Sequence, residues 1–156
     1  MPSIEEELQS HAFPSEQIKA NLNIMFTANY LNNMISGSLK PFSITHEQFN
    51  VLRILRGKHP ECMCQKDIQM RMIARQSNLT LLLKKLKEKG FVSVKKSQKD
   101  KREYMINITK NGLVLLKRID NESTDNIAFS NSLSVSEAFH LNSLLDKLRD
   151  SKSLAY

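Results

Sequence analysis

The stretch from Gln76 to Gly90 most constrains what this chain can fold into. Leu79, Leu82, Leu83 and Leu86 recur at i, i+3, i+4 and i+7, which is one face of an α-helix. Gly90 stands where a left-handed residue would end that helix, with Lys87 and Lys89 in its last turn, where cations suit the negative end of the helix dipole. The opposite face carries Ser77, Asn78, Thr80, Lys84 and Lys85. Directly after Gly90 the hydrophobic period changes. Phe91–Val94 reads as a strand and Tyr104–Ile108 as its partner. Between them, residues 95–102 form a loop too polar for a core, holding the five cations Lys95, Lys96, Lys99, Lys101 and Arg102. A helix with one leucine face, followed by a hairpin with a basic tip, leaves few architectures open.

The flanking segments narrow them further. Pro14-Ser15-Glu16 offers a helix start with Ser15 as N-cap, and Ile18, Leu22, Met25, Phe26, Leu31, Met34 and Ile35 follow at roughly helical spacing. This predicts a helix over 15–37, preceded by a short acidic turn within 1–13. Its five asparagines (Asn21, Asn23, Asn29, Asn32, Asn33) make it a poor isolated helix, so it needs a packing partner. Thr45 and Gln48 form a capping-box pattern with Ile44 and Phe49 as staple, opening a helix to about Arg56 that buries Phe49, Leu52 and Leu55. Gln65–Met72 reads as a short helix with Ile68 and Met72 inward, joined by the turn 73–76 to the helix over 76–89. The pair is a helix-turn-helix, whose second helix enters the major groove. Thr109 caps a further helix expected to reach about Ser130. Ser134 and Glu137 open a last one bearing Ala138, Leu141, Leu144, Leu145 and Leu148. The fold class is therefore mainly α: a winged helix-turn-helix with a two-stranded β-wing and further helices at both ends.

Charge supplies the partner class. Residues 53–118 hold 18 of the 23 Lys/Arg and 5 of the 16 Asp/Glu, a formal +13, against −6 for the rest of the chain. A basic middle between acidic ends is the footprint of a nucleic-acid binder. A charged helix face is more often merely solvated, so the helix alone does not decide the matter; the basic hairpin beside it does. No apolar run approaches the roughly 20 residues that span a bilayer. The acidic start lacks the parts of a signal peptide, and two cysteines one residue apart make no disulfide scaffold. A cytoplasmic protein without membrane contact is the expectation.

Residues 44–116 resemble the MarR family of bacterial winged-helix transcription regulators. The resemblance rests on the capped helix with an inward aromatic (Thr45 to Leu55) and the recognition-helix start Ser77-Asn78-Leu79-Thr80. It rests also on Leu86-Lys87-Glu88-Lys89-Gly90 leading into Phe91-Val92, on Asp100-Lys101-Arg102 in the wing, and on Ile108-Thr109-Lys110-Asn111-Gly112 opening the next helix. The resemblance implies one MarR-like domain over 1–156, with a DNA-binding lobe at about 41–110. Helices in about 1–40 and 111–156 would interlock into a homodimer. Two positions depart from the family pattern: Leu81 stands where an Arg is frequent and Lys84 where an Asp is frequent. The first removes a groove contact and the second adds positive charge, so base specificity is not carried over.

Double-stranded DNA is thus the expected partner. Lys84, Lys85, Lys95, Lys96, Lys99 and Lys101 are candidates for phosphates, where each neutralised charge releases counterions. Arg75, Gln76, Ser77, Asn78 and Thr80 cluster at the start of the recognition helix, the end that faces base edges. Gln76 and Asn78 have the amide geometry that pairs with adenine and Arg75 the fork that pairs with guanine, although Ser77 or Asn78 alternatively caps the helix. By the resemblance, Arg102 enters the minor groove and Asp100 fixes the wing through a charge-assisted bond, or serves as a plain turn residue. Leu81 either meets a thymine methyl or packs on a neighbour.

His59, Cys62 and Cys64 group soft ligands that suit zinc, copper or a redox switch, but a closed zinc site wants four ligands, so a plain loop is the favoured reading. The isolated His11, His46 and His140 read as surface groups, and no cofactor is expected. The methionines read as core filler. The resemblance also implies an effector pocket between the DNA-binding lobe and the dimerisation helices, for which Met25, Phe26, Tyr30, Phe49 and Leu52 are candidates. There is no Gly-rich phosphate loop, motif-level nucleophile arrangement or metal-ligand helix, so an enzyme is not expected. The leading expectation is a homodimeric DNA-binding repressor of a pseudo-palindromic operator, released by a small-molecule or redox signal. The alternative is a winged-helix protein–protein adaptor without DNA function, against which the basic middle argues.

Overall fold

The computed structural model of the protein describes residues 2–10, 12–96, 103–122 and 133–150. Helix α1 (Ile4–Glu7) is the short acidic turn, started by a capping box in which the Ser3 N–H donates to Glu6 Oε2 at 2.8 Å. Ser15 opens α2 (Glu16–Leu39) by accepting the Ile18 N–H at 3.2 Å. The helix continues through Gly37 to Leu39 and gives way to a 3₁₀ turn over Lys40–Phe42, because Pro41, not Gly37, is the residue that cannot extend it. Helix α3 (His46–Arg56) starts at the Thr45/Gln48 capping box (3.2 and 3.3 Å), which also gives the side-chain oxygen of the buried Gln48 a donor.

A two-residue strand, β1 (Met63–Cys64), leads into α4 (Gln65–Arg71) and then α5 (Leu79–Glu88). Strands β2 (Val92–Lys96) and β3 (Tyr104–Ile108) follow, then α6 (Lys110–Glu122) and α7 (Val135–Arg149). The sheet is antiparallel in the order β1-β3-β2, with Met63 and Val94 both opposite Ile106 and with Val92 opposite Ile108. The expected two-stranded wing, β2 and β3, is present, and β1 adds a third strand to its sheet that the sequence did not announce. A strand of two residues is too short to show alternation, and β1 exists only through its pairing with β3. The expected continuation of α6 to about Ser130 lies outside the described residues.

One core holds the middle of the chain together. Leu39, Leu52, Leu55, Ile68, Leu79, Leu86, Ile106, Leu116 and Ile119 are fully buried, and Met63 of β1 and Val92 of β2 join them, so every element from the end of α2 to α6 contributes to the core. Each such side chain contributes about 1.5–3 kcal/mol by leaving water. An Arg56–Asp120 ion pair (2.5 Å) ties α3 to α6 at the surface. The two ends differ. Of the 24 residues of α2 only Ile35 and Leu39 are buried, and α7 buries none. Met25 (69%), Tyr30 (59%), Phe139 (74%) and Leu144 (61%) stand open to solvent. Among the described residues, much of the apolar surface of both helices is left uncovered.

Candidate nucleic-acid interface

Helix α5 is held by its leucines. Leu79, Leu83 and Leu86 are buried and Leu82 packs against the core, so the expected face is the inward one. Its start differs from expectation. The helix begins at Leu79, not Gln76, because Asn78 is the N-cap: its Oδ1 accepts the Leu81 N–H at 3.1 Å. Gln76 and Ser77 therefore lie in the turn before the helix. That turn is pinned from two neighbouring helices. Gln69 of α4 donates its amide to the carbonyls of Arg75 and Ser77, the latter at 3.3 Å, and Asn50 of α3 accepts the Ile73 N–H at 3.2 Å.

The other end of α5 closes as the glycine implies. Gly90 adopts φ 73°, and the Gly90 and Phe91 N–H groups, each at 2.9 Å, return to the carbonyls of Lys87 and Leu86. Thr109 then joins three elements: its hydroxyl donates to the Gly90 carbonyl (2.6 Å) and accepts the Gly112 N–H (3.2 Å) as the cap of α6. Helix α5, the hairpin and α6 are thereby fixed to one another.

The outward face of α5 and the turn before it carry the groups expected there. Arg75, Gln76, Asn78, Thr80, Lys84 and Lys85 are exposed and Ser77 is half-buried. Leu81 lies among them, 46% exposed. Lys95 and Lys96 are exposed as well, within β2 rather than in the loop. Among the described residues none forms an ion pair with Arg75, Lys84, Lys85, Lys95 or Lys96, so their charge is locally uncompensated. Lys99, Asp100, Lys101 and Arg102 lie outside the described residues.

The structure adds residues that sequence reasoning missed. A groove of about 370 Å³ runs between α5 and the hairpin, lined among others by Gln65, Thr80, Lys84, Lys87 and Tyr104. Gln65, at the first position of α4, donates its amide to the Thr80 hydroxyl at 2.8 Å. The partners are 15 residues apart, so no local pattern announces the contact.

The remaining candidates separate. Phe49 and Leu52 belong to the core, whereas Met25 and Tyr30 are exposed on α2. None of the five proposed effector residues lines the larger cleft, of about 510 Å³, between α2 (Asn32, Ser36), α3 (Glu47, Asn50) and the segment Met72–Ala74. Cys62 and Cys64 are free thiols, exposed and half-buried, and His59 is exposed. Among the described residues no three His, Cys, Asp or Glu side chains gather where they could hold a metal ion. No described helix is long and apolar enough to cross a membrane.

Comparison with known proteins places this geometry. The sequence model of the MarR family matches residues 44–104. The HTH-type transcriptional regulator MgrA of Staphylococcus aureus is 29% identical over 119 residues, 76% of this chain and 77% of that protein. A mutant MarR from Escherichia coli, solved in complex with operator DNA, superposes with a TM-score of 0.75 at 22% identity, covering 88% of this chain and 99% of that one. A MarR-like transcription regulator from Bacillus cereus gives a TM-score of 0.74 at 23% identity, covering 86% and 96%.

Proposed function

We propose that the chain is a DNA-binding transcription regulator of the MarR kind, as the family model over residues 44–104 and the similarity to MgrA support, and that it acts as a homodimeric repressor gripping a pseudo-palindromic operator. One observation carries the reading. A helix anchored by three buried leucines turns an uncompensated row of donors and cations outward, beside a hairpin that adds Lys95 and Lys96.

In this reading Lys84, Lys85, Lys95 and Lys96 neutralise phosphates, joined by Lys99 and Lys101 of the wing tip. Arg75, Gln76, Ser77, Asn78 and Thr80 meet base edges, and Leu81 touches a thymine methyl. Arg102 reaches the minor groove and Asp100 steadies the wing. The DNA-binding lobe spans about 41–110. The apolar faces of α2 and α7, with the rest of 1–40 and 111–156, form the dimer contact. Two recognition helices then meet half-sites about one helical turn apart. Release by a small molecule fits the 510 Å³ cleft between α2, α3 and Met72–Ala74, since a ligand there would touch both lobes at once.

A titration of the full chain with duplex DNA over a range of salt concentrations tests the proposal. Affinity is expected to fall steeply as salt rises. DNA binding that is absent, or indifferent to salt, would overturn it and leave the adaptor reading in its place.

A further inference from the structure

Two hydrogen bonds at the start of α5 settle what its base-facing polar groups have left to offer. Asn78 spends its carbonyl oxygen on the Leu81 N–H (3.1 Å), which fixes the amide plane and leaves the two amide hydrogens for a partner. Thr80 accepts the Gln65 amide at 2.8 Å. A hydroxyl that accepts a bond is polarised into a stronger donor, and among the described residues nothing accepts from the Thr80 O–H. Both side chains are exposed, and Gln65, Thr80 and Lys84 border the groove beside the hairpin. At Asn78 and Thr80 the helix thus presents donors.

We propose that Asn78 and Thr80 together read guanine, and that Gln65, which touches no base, is the residue that imposes this by holding the Thr80 hydroxyl as a donor. Guanine is the one base whose major-groove edge carries two neighbouring acceptors, O6 and N7, and no donor. Adenine, whose edge pairs an acceptor with a donor, is matched by an amide that offers both its groups. Asn78 holds its carbonyl against the Leu81 N–H of the cap, so Gln76 is the residue free to turn both amide groups to adenine. This inference rests on the DNA-binding reading above and adds to it the chemistry of one operator position.

The test has two arms. Bound sequences are first selected from random duplex DNA with the full-length protein, and guanine is expected at one fixed position in each half-site. Replacing that guanine by 7-deazaguanine removes the N7 acceptor without altering pairing, and should weaken binding by about tenfold, the lower range for a base contact. The second arm repeats the selection with Gln65→Leu and Gln65→Glu, with circular dichroism as the check on folding. Leucine frees the Thr80 hydroxyl and should flatten the guanine preference. Glutamate only accepts, so it draws the Thr80 O–H inward and should shift the preference toward adenine or cytosine, whose edges offer a donor. If no sequence is enriched and DNA does not bind, the underlying reading fails. If a sequence is enriched but 7-deazaguanine has no effect, or folded Gln65 variants keep the wild-type preference, the reading stands and this inference falls.

Discussion

Gly112 shows how much a single position can carry. A Cβ built there would lie 2.5 Å from the Phe91 carbonyl oxygen and 2.7 Å from Ile108 Cγ1, and the former is backbone that cannot swing away. The close approach lets α6 begin directly under the hairpin, where Thr109 caps it and holds the Gly90 carbonyl. Gly112→Ala is therefore expected to lower stability by about 1–3 kcal/mol, the usual cost of overpacking. Urea unfolding of the two proteins measures it, and an unshifted midpoint would contradict the packing described. Residues whose partners are near in sequence were legible without coordinates: Thr45 with Gln48, Ser134 with Glu137, Gly90 after its leucines. Gln65 was not, because its partner Thr80 lies on another helix and glutamine at a helix start has many ordinary uses. Asn78 was legible only as one of two candidates for the cap. The structure chooses it over Ser77 and thereby changes what it can say to a base.

Among the elements, α3 was the most legible and β1 the least. A capping box, a staple and three leucine-spaced residues define α3 from sequence alone, whereas β1 is defined by hydrogen bonds to a strand some forty residues away. The caps also couple the elements to pH. The Thr45 hydroxyl beside Glu47, the Ser134 cap bonded to Glu137 and the Lys19 ammonium bonded to Glu5 hold these carboxyls below the ordinary carboxylate range. A carboxyl whose folded pKa is depressed adds stability above its unfolded pKa, and that stability is lost as pH falls through the folded value. We predict that Thr45→Ala costs about 1 kcal/mol at neutral pH, the typical worth of an N-cap. The deficit should shrink in acid below the carboxylate range, where Glu47 is protonated in both proteins. Urea titrations at the two pH values check this, and a pH-independent difference would dissociate Glu47 from the cap.

For the whole molecule, the sequence already marked α2 as a helix in need of a partner, but spacing could not say how much of its apolar face the described residues leave exposed. In the structure many apolar residues of α2 and α7, Met25, Tyr30, Phe139 and Leu144 among them, remain exposed, while the middle of the chain buries its own in one core. Leu144→Glu should therefore leave the monomer fold intact. Sedimentation velocity should show the dimer shifted to monomer, and affinity for a two-half-site operator should fall. A variant that stays dimeric would place the interface elsewhere. The central claim, that the uncompensated face of α5 holds DNA through its cations, is tested most directly by the salt dependence of DNA binding for the wild type and Lys84→Ala. We predict a linear fall of log K with log salt, with a slope of about −0.9 per phosphate contact, shallower by about one contact in the variant. Wild-type and variant slopes that coincide, or affinity that does not respond to salt, would contradict it.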